Sequence, residues 1–271
     1  MSKVYEKMSM RTAFETPRIA ETKDYLRAYG FWTAFALLTL VCYLQLLAVV
    51  AWYKLFHPTR ISQAAHLVAT KWARAIMFAT PGWKWTYLGF ENLPSEKDPP
   101  VVLVANHQSS ADIGAIYLTQ AQFRWLSKDS VFKLPCIGSA MKWAGYVSIS
   151  RGNRSSHVKA LKSSSEWIRQ GISMFYFPEG TRSEDGKLQE FKVGAFRLAI
   201  EEGVAIQPIV LCGTRDMMLK NSAIPKPARL CLEVMPRVWP EKEETVEAFS
   251  ERVRRMIADR LTDLERLRYQ C

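Results

Sequence analysis

Val101-Val102-Leu103-Val104-Ala105-Asn106-His107-Gln108-Ser109-Ser110-Ala111-Asp112 is the stretch on which the reading of the chain turns. Pro99-Pro100 closes the loop before it, and the apolar run that follows is short, aliphatic and rich in β-branched residues. Such a run reads as a buried strand. It stops abruptly at Asn106-His107. A histidine and an aspartate five positions apart at the mouth of a buried strand are candidates for chemistry. The plainer alternative is a strand end, a polar loop and an aspartate at a helix start, with Ser109 or Ser110 as the cap.

Outward from this stretch the pattern alternates. Upstream, Pro81-Gly82 breaks a helix, Trp83–Gly89 alternates as a strand does, and Glu91–Pro100 is a polar loop. Downstream come a helix over Ala111–Thr119, a strand over Phe123–Leu126, a helix over Pro135–Ala144 and a strand over Tyr146–Ile149. A helix over Ser155–Gln170 follows, closed by Gly171, then a buried strand over Ile172–Phe177. A helix over Phe191–Glu202, strands over Ala205–Cys212 and Arg229–Met235, and an amphipathic helix over Glu244–Leu267 complete the chain. Alternating strands and helices predict an α/β fold with a mostly buried, mixed β-sheet flanked by helices.

A second motif, Phe177-Pro178-Glu179-Gly180-Thr181-Arg182-Ser183, also sits directly after an apolar strand. Pro178 and Gly180 impose a turn there and throw Glu179 and Arg182 to the strand-end edge that carries His107. Lys128 follows the Phe123–Leu126 strand, and Arg151, with Arg154 beside it, follows Tyr146–Ile149. Three strand ends thus carry Lys128, Arg151 and Arg182. Singly, each reads as a solvated charge. Together with one histidine and one carboxylate they suggest base catalysis on a phosphate-bearing substrate, since the guanidinium fork matches phosphate oxygens.

The N-terminal region is of another kind. From Phe31 to Tyr53, about 23 residues, no side chain is charged, which is long enough to cross a bilayer. Trp32, Trp52 and Tyr53 stand at its ends as interfacial anchors do. The segment starts too far in, and is too long, for a cleavable signal. After His57-Pro58, the stretch Thr59–Phe78 repeats Ile61, Ala65, Val68, Trp72, Ala75 and Ile76 at helical spacing, with Arg60, Lys71 and Arg74 among them. It reads as an amphipathic helix lying on a membrane. The chain therefore divides into residues 1–80, a membrane-anchoring helical hairpin, and residues 81–271, an α/β domain. The alternatives for Phe31–Tyr53 are a single true span and a buried core helix.

Composition agrees. The 271 residues are 48% hydrophobic, which excludes a disordered chain, and the formal net charge of +11 suits a polyanion such as an anionic membrane or a phosphorylated substrate. Nucleic acid would explain the charge but not the apolar N-terminus. The five cysteines are scattered without metal-site spacing and only four histidines are available, so no metal site or disulfide framework is expected.

The two motifs, in this order and each after a strand, resemble those of the glycerolipid acyltransferases: Asn106-His107 with Asp112 matches the family's first block, and Glu179-Gly180-Thr181-Arg182 its second. The resemblance covers roughly Trp83 to Met235. The arginine block departs from the family's usual neighbours, reading Val147-Ser148-Ile149-Ser150-Arg151, and the fourth block appears as Ile206-Gln207-Pro208-Ile209-Val210. The resemblance implies transfer of an acyl group from acyl-CoA or acyl-acyl carrier protein, with no further cofactor, to the sn-2 hydroxyl of lysophosphatidic acid. It implies His107 as base and Asp112 as its orienter, with Arg182 and Arg151 on the acceptor phosphate and Lys128 assisting. Glu179 then orients Arg182 or the glycerol, Thr181 lies with them at the substrate, and Gly180 and neighbouring amides stabilise the oxyanion. The implied place is the cytoplasmic face of a bacterial inner membrane, with the bilayer as partner. Within the same chemistry the acceptor is alternatively another lysolipid or glycerol 3-phosphate. From other classes, a non-enzymatic anionic-lipid binder needs no His107 with Asp112, and a serine hydrolase using Ser109 or Ser110 lacks a Gly-x-Ser-x-Gly elbow.

Overall fold

The computed structural model describes residues 22–80, 82–95, 97–150, 152–183, 185–218 and 223–268. Seven strands, β1 (Trp83–Leu88), β2 (Val102–Ala105), β3 (Phe123–Lys128), β4 (Val147–Ile149), β5 (Ser173–Tyr176), β6 (Ile206–Cys212) and β7 (Ala228–Val234), form one sheet in the order β1-β7-β6-β2-β5-β3-β4. Strands β2 to β6 all run in one direction, and β7 returns antiparallel to β6 with β1 alongside it. The sheet is mixed, as the sequence predicts, and the predicted elements fall within a few residues of the observed ones.

Both faces of the sheet are covered, which explains the unbroken apolarity of the central strands. On β2, Leu103 and Ala105 face one core and Val102 and Val104 the other. The first core is closed by α1 (Thr22–Phe56), α2 (Ile61–Ala79), α3 (Ala111–Tyr117) and α4 (Ile137–Trp143). The second is closed by α5 (Arg154–Arg169), α6 (Gly194–Glu202) and α8 (Val246–Arg268), while the short α7 (Thr214–Met217) follows β6.

Helix α1 merges the predicted N-terminal helix and the uncharged segment into one element of 35 residues, about 52 Å long. It is the one helix among the described residues long and apolar enough to cross a membrane, and only 11% of its most apolar window is buried. One side docks on the protein: Trp72 Nε1 donates to Thr39 Oγ1 at 3.0 Å, Trp32 Nε1 to the Ala223 carbonyl at 2.7 Å, and Tyr43 meets Ser139 at 3.0 Å. The other side exposes Leu37, Leu40, Val41 and Leu44.

Helices α1 and α2 form the expected hairpin, but α2 does not turn its apolar face to lipid. Ala65, Val68, Ala73, Ile76 and Met77 are buried in the first core. His66 is buried with them. Its Nδ1 meets the Tyr146 hydroxyl at 2.9 Å and its Nε2 the Ala121 carbonyl at 3.0 Å. Burial lowers its pKa to about 3, with Arg124 adding to the effect. The helical periodicity of α2 is therefore the signature of packing between α1 and the sheet.

Candidate active site

Because β2 to β6 are parallel, their carboxyl ends share one edge, and in open α/β sheets that edge is where ligands bind. Asn106 leaves β2 and clamps the neighbouring strand like an extra rung. Its Oδ1 accepts from the Leu211 amide and its Nδ2 donates to the Leu211 carbonyl, both at 2.8 Å. This fixes the point at which His107 emerges.

His107 Nδ1 lies 2.8 Å from Asp112 Oδ2. The histidine side chain is 14% exposed and the aspartate wholly buried. The same carboxylate oxygen accepts the amides of Gln108 at 2.6 Å and Ser109 at 2.8 Å. Asp112 stands in the first turn of α3, where unpaired amides favour an anion. The loop between the two residues is thus wrapped around the carboxylate, and Nδ1 is committed to it. Nε2 is left as the ring nitrogen that can take a proton. Below the ring, Phe177 stacks on the imidazole with centroids 4.0 Å apart and planes 12° from parallel, and Phe177 in turn stacks on Trp125. Neither aromatic contact is legible in the motif spacing; only the position of Phe177 at the end of β5 hints at it.

The serines between His107 and Asp112 hold the loop. Buried Ser109 donates to the Met218 carbonyl at 3.2 Å and accepts the Ala111 amide at 3.3 Å. Ser110 stands at the N-cap position of α3 but makes no side-chain cap; its hydroxyl accepts from Arg182 Nη1 at 2.6 Å. The second motif is thereby drawn onto the first, and Arg182 sits within one hydroxyl of the His107 loop.

Glu179 differs from its expected role. It is 4% exposed, and both of its carboxylate oxygens are engaged by backbone amides. Oε1 accepts the His107 amide at 2.6 Å and Oε2 the Gln189 amide at 3.0 Å. Burial raises its pKa against the pull of those two donors. Glu179 is a positioning residue for the His107 backbone, and the Ser183 amide, donating to the His107 carbonyl at 2.9 Å, completes the grip. Gly180 also differs: its amide closes the turn onto the Phe177 carbonyl at 3.0 Å, which engages it away from an oxyanion. Its φ of +72° is the left-handed turn that glycine permits, and a Cβ there would strike Lys192 Nζ. Thr181 is exposed on the same turn.

Lys128 ends β3, exposed, in register with Ile149. It shares the edge with His107 but stands two strands away, about 10 Å in sheet spacing. Arg151, beyond the end of β4, lies outside the described residues. The arrangement brings together His107, Asp112, Glu179 and Arg182, and leaves Lys128 at the rim.

Comparison with known proteins agrees with the geometry. Residues 84–212 match the acyltransferase family model. A chloroplastic 1-acyl-sn-glycerol-3-phosphate acyltransferase of Arabidopsis thaliana is 43% identical over 168 residues, 62% of this chain and 46% of the relative. A 1-acyl-sn-glycerol-3-phosphate acyltransferase of Chlamydomonas reinhardtii is 37% identical over 219 residues, 80% of this chain and 64% of the relative. The chain thus spans between 46% and 64% of the length of these two relatives. The crystal structure of a 1-acyl-sn-glycerophosphate acyltransferase from Thermotoga maritima superposes with a TM-score of 0.66 at 26% identity, over 87% of this chain and 98% of that one.

Proposed function

We propose, on the match of residues 84–212 to the acyltransferase family model, that this chain moves a fatty acyl group from an acyl thioester to the sn-2 hydroxyl of lysophosphatidic acid, forming phosphatidic acid. The observation that carries the reading is the 2.8 Å contact from His107 Nδ1 to an Asp112 carboxylate locked by two backbone amides.

A hydroxyl attacks a thioester poorly while it keeps its proton. His107 Nε2 takes that proton as the acceptor oxygen bonds to the thioester carbonyl carbon. Asp112 fixes the tautomer that leaves Nε2 unprotonated and stabilises the imidazolium that forms. When the tetrahedral intermediate collapses, the carbon–sulfur bond breaks and Nε2 returns the proton to the leaving thiolate. The nucleophile belongs to the substrate, so no acyl-enzyme is formed and Ser109 and Ser110 keep their structural tasks. Arg182, steadied by Ser110, meets the acceptor phosphate, with Lys128 at the end of the neighbouring strand β3; Arg151 is proposed to assist on the grounds of the sequence resemblance alone.

Membrane attachment follows from α1, whose exposed leucine face suits the acyl region of a bilayer and keeps the site where the lipid substrate and product partition. The cytoplasmic face of a bacterial inner membrane, the side that supplies acyl thioesters, completes the reading. The test is His107→Ala in the full chain, with acyl transfer from a thioester to lysophosphatidic acid followed by mass of the product. A variant folded by circular dichroism loses about a hundredfold to ten-thousandfold in rate. Near-native turnover in that folded variant rejects His107 as the base.

A further inference from the structure

Two stacked aromatic rings lie beneath the candidate base, and proton transfer through Nε2 gives them no task. His107 stacks on Phe177 with centroids 4.0 Å apart and planes 12° from parallel, and Phe177 stacks on Trp125 at 5.6 Å and 26°. Phe175 meets Phe177 edge to face at 5.1 Å and Trp125 at 4.4 Å. The imidazole thus rests on a face of aromatic carbon that begins at the end of β5 and continues into the core.

Trp125 is itself held by a buried hydrogen-bond chain. Its Nε1 donates to the Tyr117 hydroxyl at 2.9 Å, the Tyr117 and Tyr146 hydroxyls are 2.7 Å apart, and Tyr146 meets His66 Nδ1 at 2.9 Å. One direction satisfies every member. His66 Nε2 faces the Ala121 carbonyl, which can only accept, so Nε2 carries the ring proton and Nδ1 accepts. The Tyr146 hydroxyl then donates to His66 and the Tyr117 hydroxyl to Tyr146, which leaves the Tyr117 oxygen to accept the indole N–H. All four side chains are buried, and the indole cannot turn without breaking the chain. The support under Phe177 is therefore rigid.

Uncharged aromatic pairs avoid a face-to-face sandwich and usually sit about 4.5 to 7 Å apart, offset or edge-on. A ring that carries positive charge is drawn onto a π face instead, because the face is the negative pole of the ring quadrupole. We propose that the face of Phe177 stabilises the imidazolium that forms on His107 during acyl transfer, with Trp125 holding Phe177 in place. The inference rests on the acyl-transfer reading. As the acceptor oxygen bonds to the thioester carbon, its proton moves to Nε2 and the ring gains one positive charge. That charge is given up when the proton passes to the leaving thiolate. Asp112 meets it in the ring plane through Nδ1, and Phe177 meets it from below. An interaction stronger with the charged ring than with the resting one lowers the barrier and leaves substrate binding alone. Phe177 is a positioning residue that acts through His107.

The test uses the full chain in bilayer nanodiscs, with lysophosphatidic acid and either palmitoyl-CoA or palmitoyl-acyl carrier protein. It compares the unaltered protein, Phe177→Leu, and proteins in which Phe177 is replaced by 4-fluorophenylalanine or 3,4,5-trifluorophenylalanine. Fluorine draws negative charge away from the ring face and barely changes the ring's shape, so a purely structural role does not respond to it. The single-turnover rate falls in order of fluorination, about tenfold with three fluorines and at least as far in Phe177→Leu, with the KM for both substrates and the melting temperatures of the fluorinated proteins unchanged. A rate indifferent to fluorine overturns the proposal, even where Phe177→Leu is slow, because the ring then only fills space. A series in which only the KM moves overturns it too. Both of these results leave the acyl-transfer reading intact. An unaltered chain that transfers no acyl group from either donor fells that reading, and the role of the stack with it.

Discussion

The backbone amide of His107 donates to Glu179 Oε1 at 2.6 Å, so the carboxylate of the second motif holds the main chain of the first, across a separation of 72 residues. The other oxygen of the same carboxylate accepts the Gln189 amide. A buried carboxylate with two amide donors is a rigid tie between the ends of β2 and β5, and it leaves the imidazole free to face the acceptor.

Glu179→Gln therefore costs rate. Glutamine offers one acceptor oxygen and an amino group that faces an N–H, so one of the two ties is lost. The kcat for acyl transfer falls about tenfold to a hundredfold as the imidazole shifts, while the KM for lysophosphatidic acid changes little. Steady-state kinetics on the folded variant check this; a change confined to the KM would return Glu179 to the substrate.

Arg182→Ala separates the head group from the glycerol. With one charged donor gone, the KM for lysophosphatidic acid rises about tenfold, and transfer to an unphosphorylated monoacylglycerol stays as it was. Parallel assays with the two acceptors decide it, and an equal loss with both removes the phosphate contact.

His66 makes stability depend on pH. Its folded pKa of about 3 lies below the ordinary value of 6.5. Between those values the unfolded chain binds a proton that the folded chain refuses. The contribution is whole above pH 6.5 and is lost as pH falls toward 3, at a slope of up to about 1.4 kcal/mol per pH unit. Thermal unfolding from pH 7.5 to 4.5 should fall less steeply for His66→Gln than for the unaltered chain. Parallel curves for the two proteins would mean that His66 is not held neutral.

Leu40→Lys with Leu44→Lys probes the outer face of α1, where both leucines are exposed. Each lysine costs about 2.5 to 3.5 kcal/mol in the centre of a bilayer, while the docked side of the helix is untouched. Flotation with liposomes should show the variant released and its melting temperature unchanged. Undiminished flotation would place membrane attachment elsewhere.

Hydrophobic periodicity, punctuated by proline and glycine, determined which segments are strands and helices, the class of the sheet, and the emergence of His107 and Arg182 beyond strand ends. Burial on a pleat or a helix face is a property of neighbouring residues, so it is written locally in Val101–Ala105 and in Val253, Ile257 and Leu261. Asp112 was legible for the same reason, since a short loop returns it to the histidine. Partnerships across strands were decided only by the tertiary structure. That Glu179 grips the His107 backbone, that the Gly180 amide is spent on its own turn, and that Phe177 floors the imidazole depend on the register of β2 beside β5. The side on which α2 is buried, with His66 against Tyr146 80 residues away, is likewise set by tertiary packing. Spacing in one dimension carries no record of such contacts, because they follow from how the strands are ordered in space.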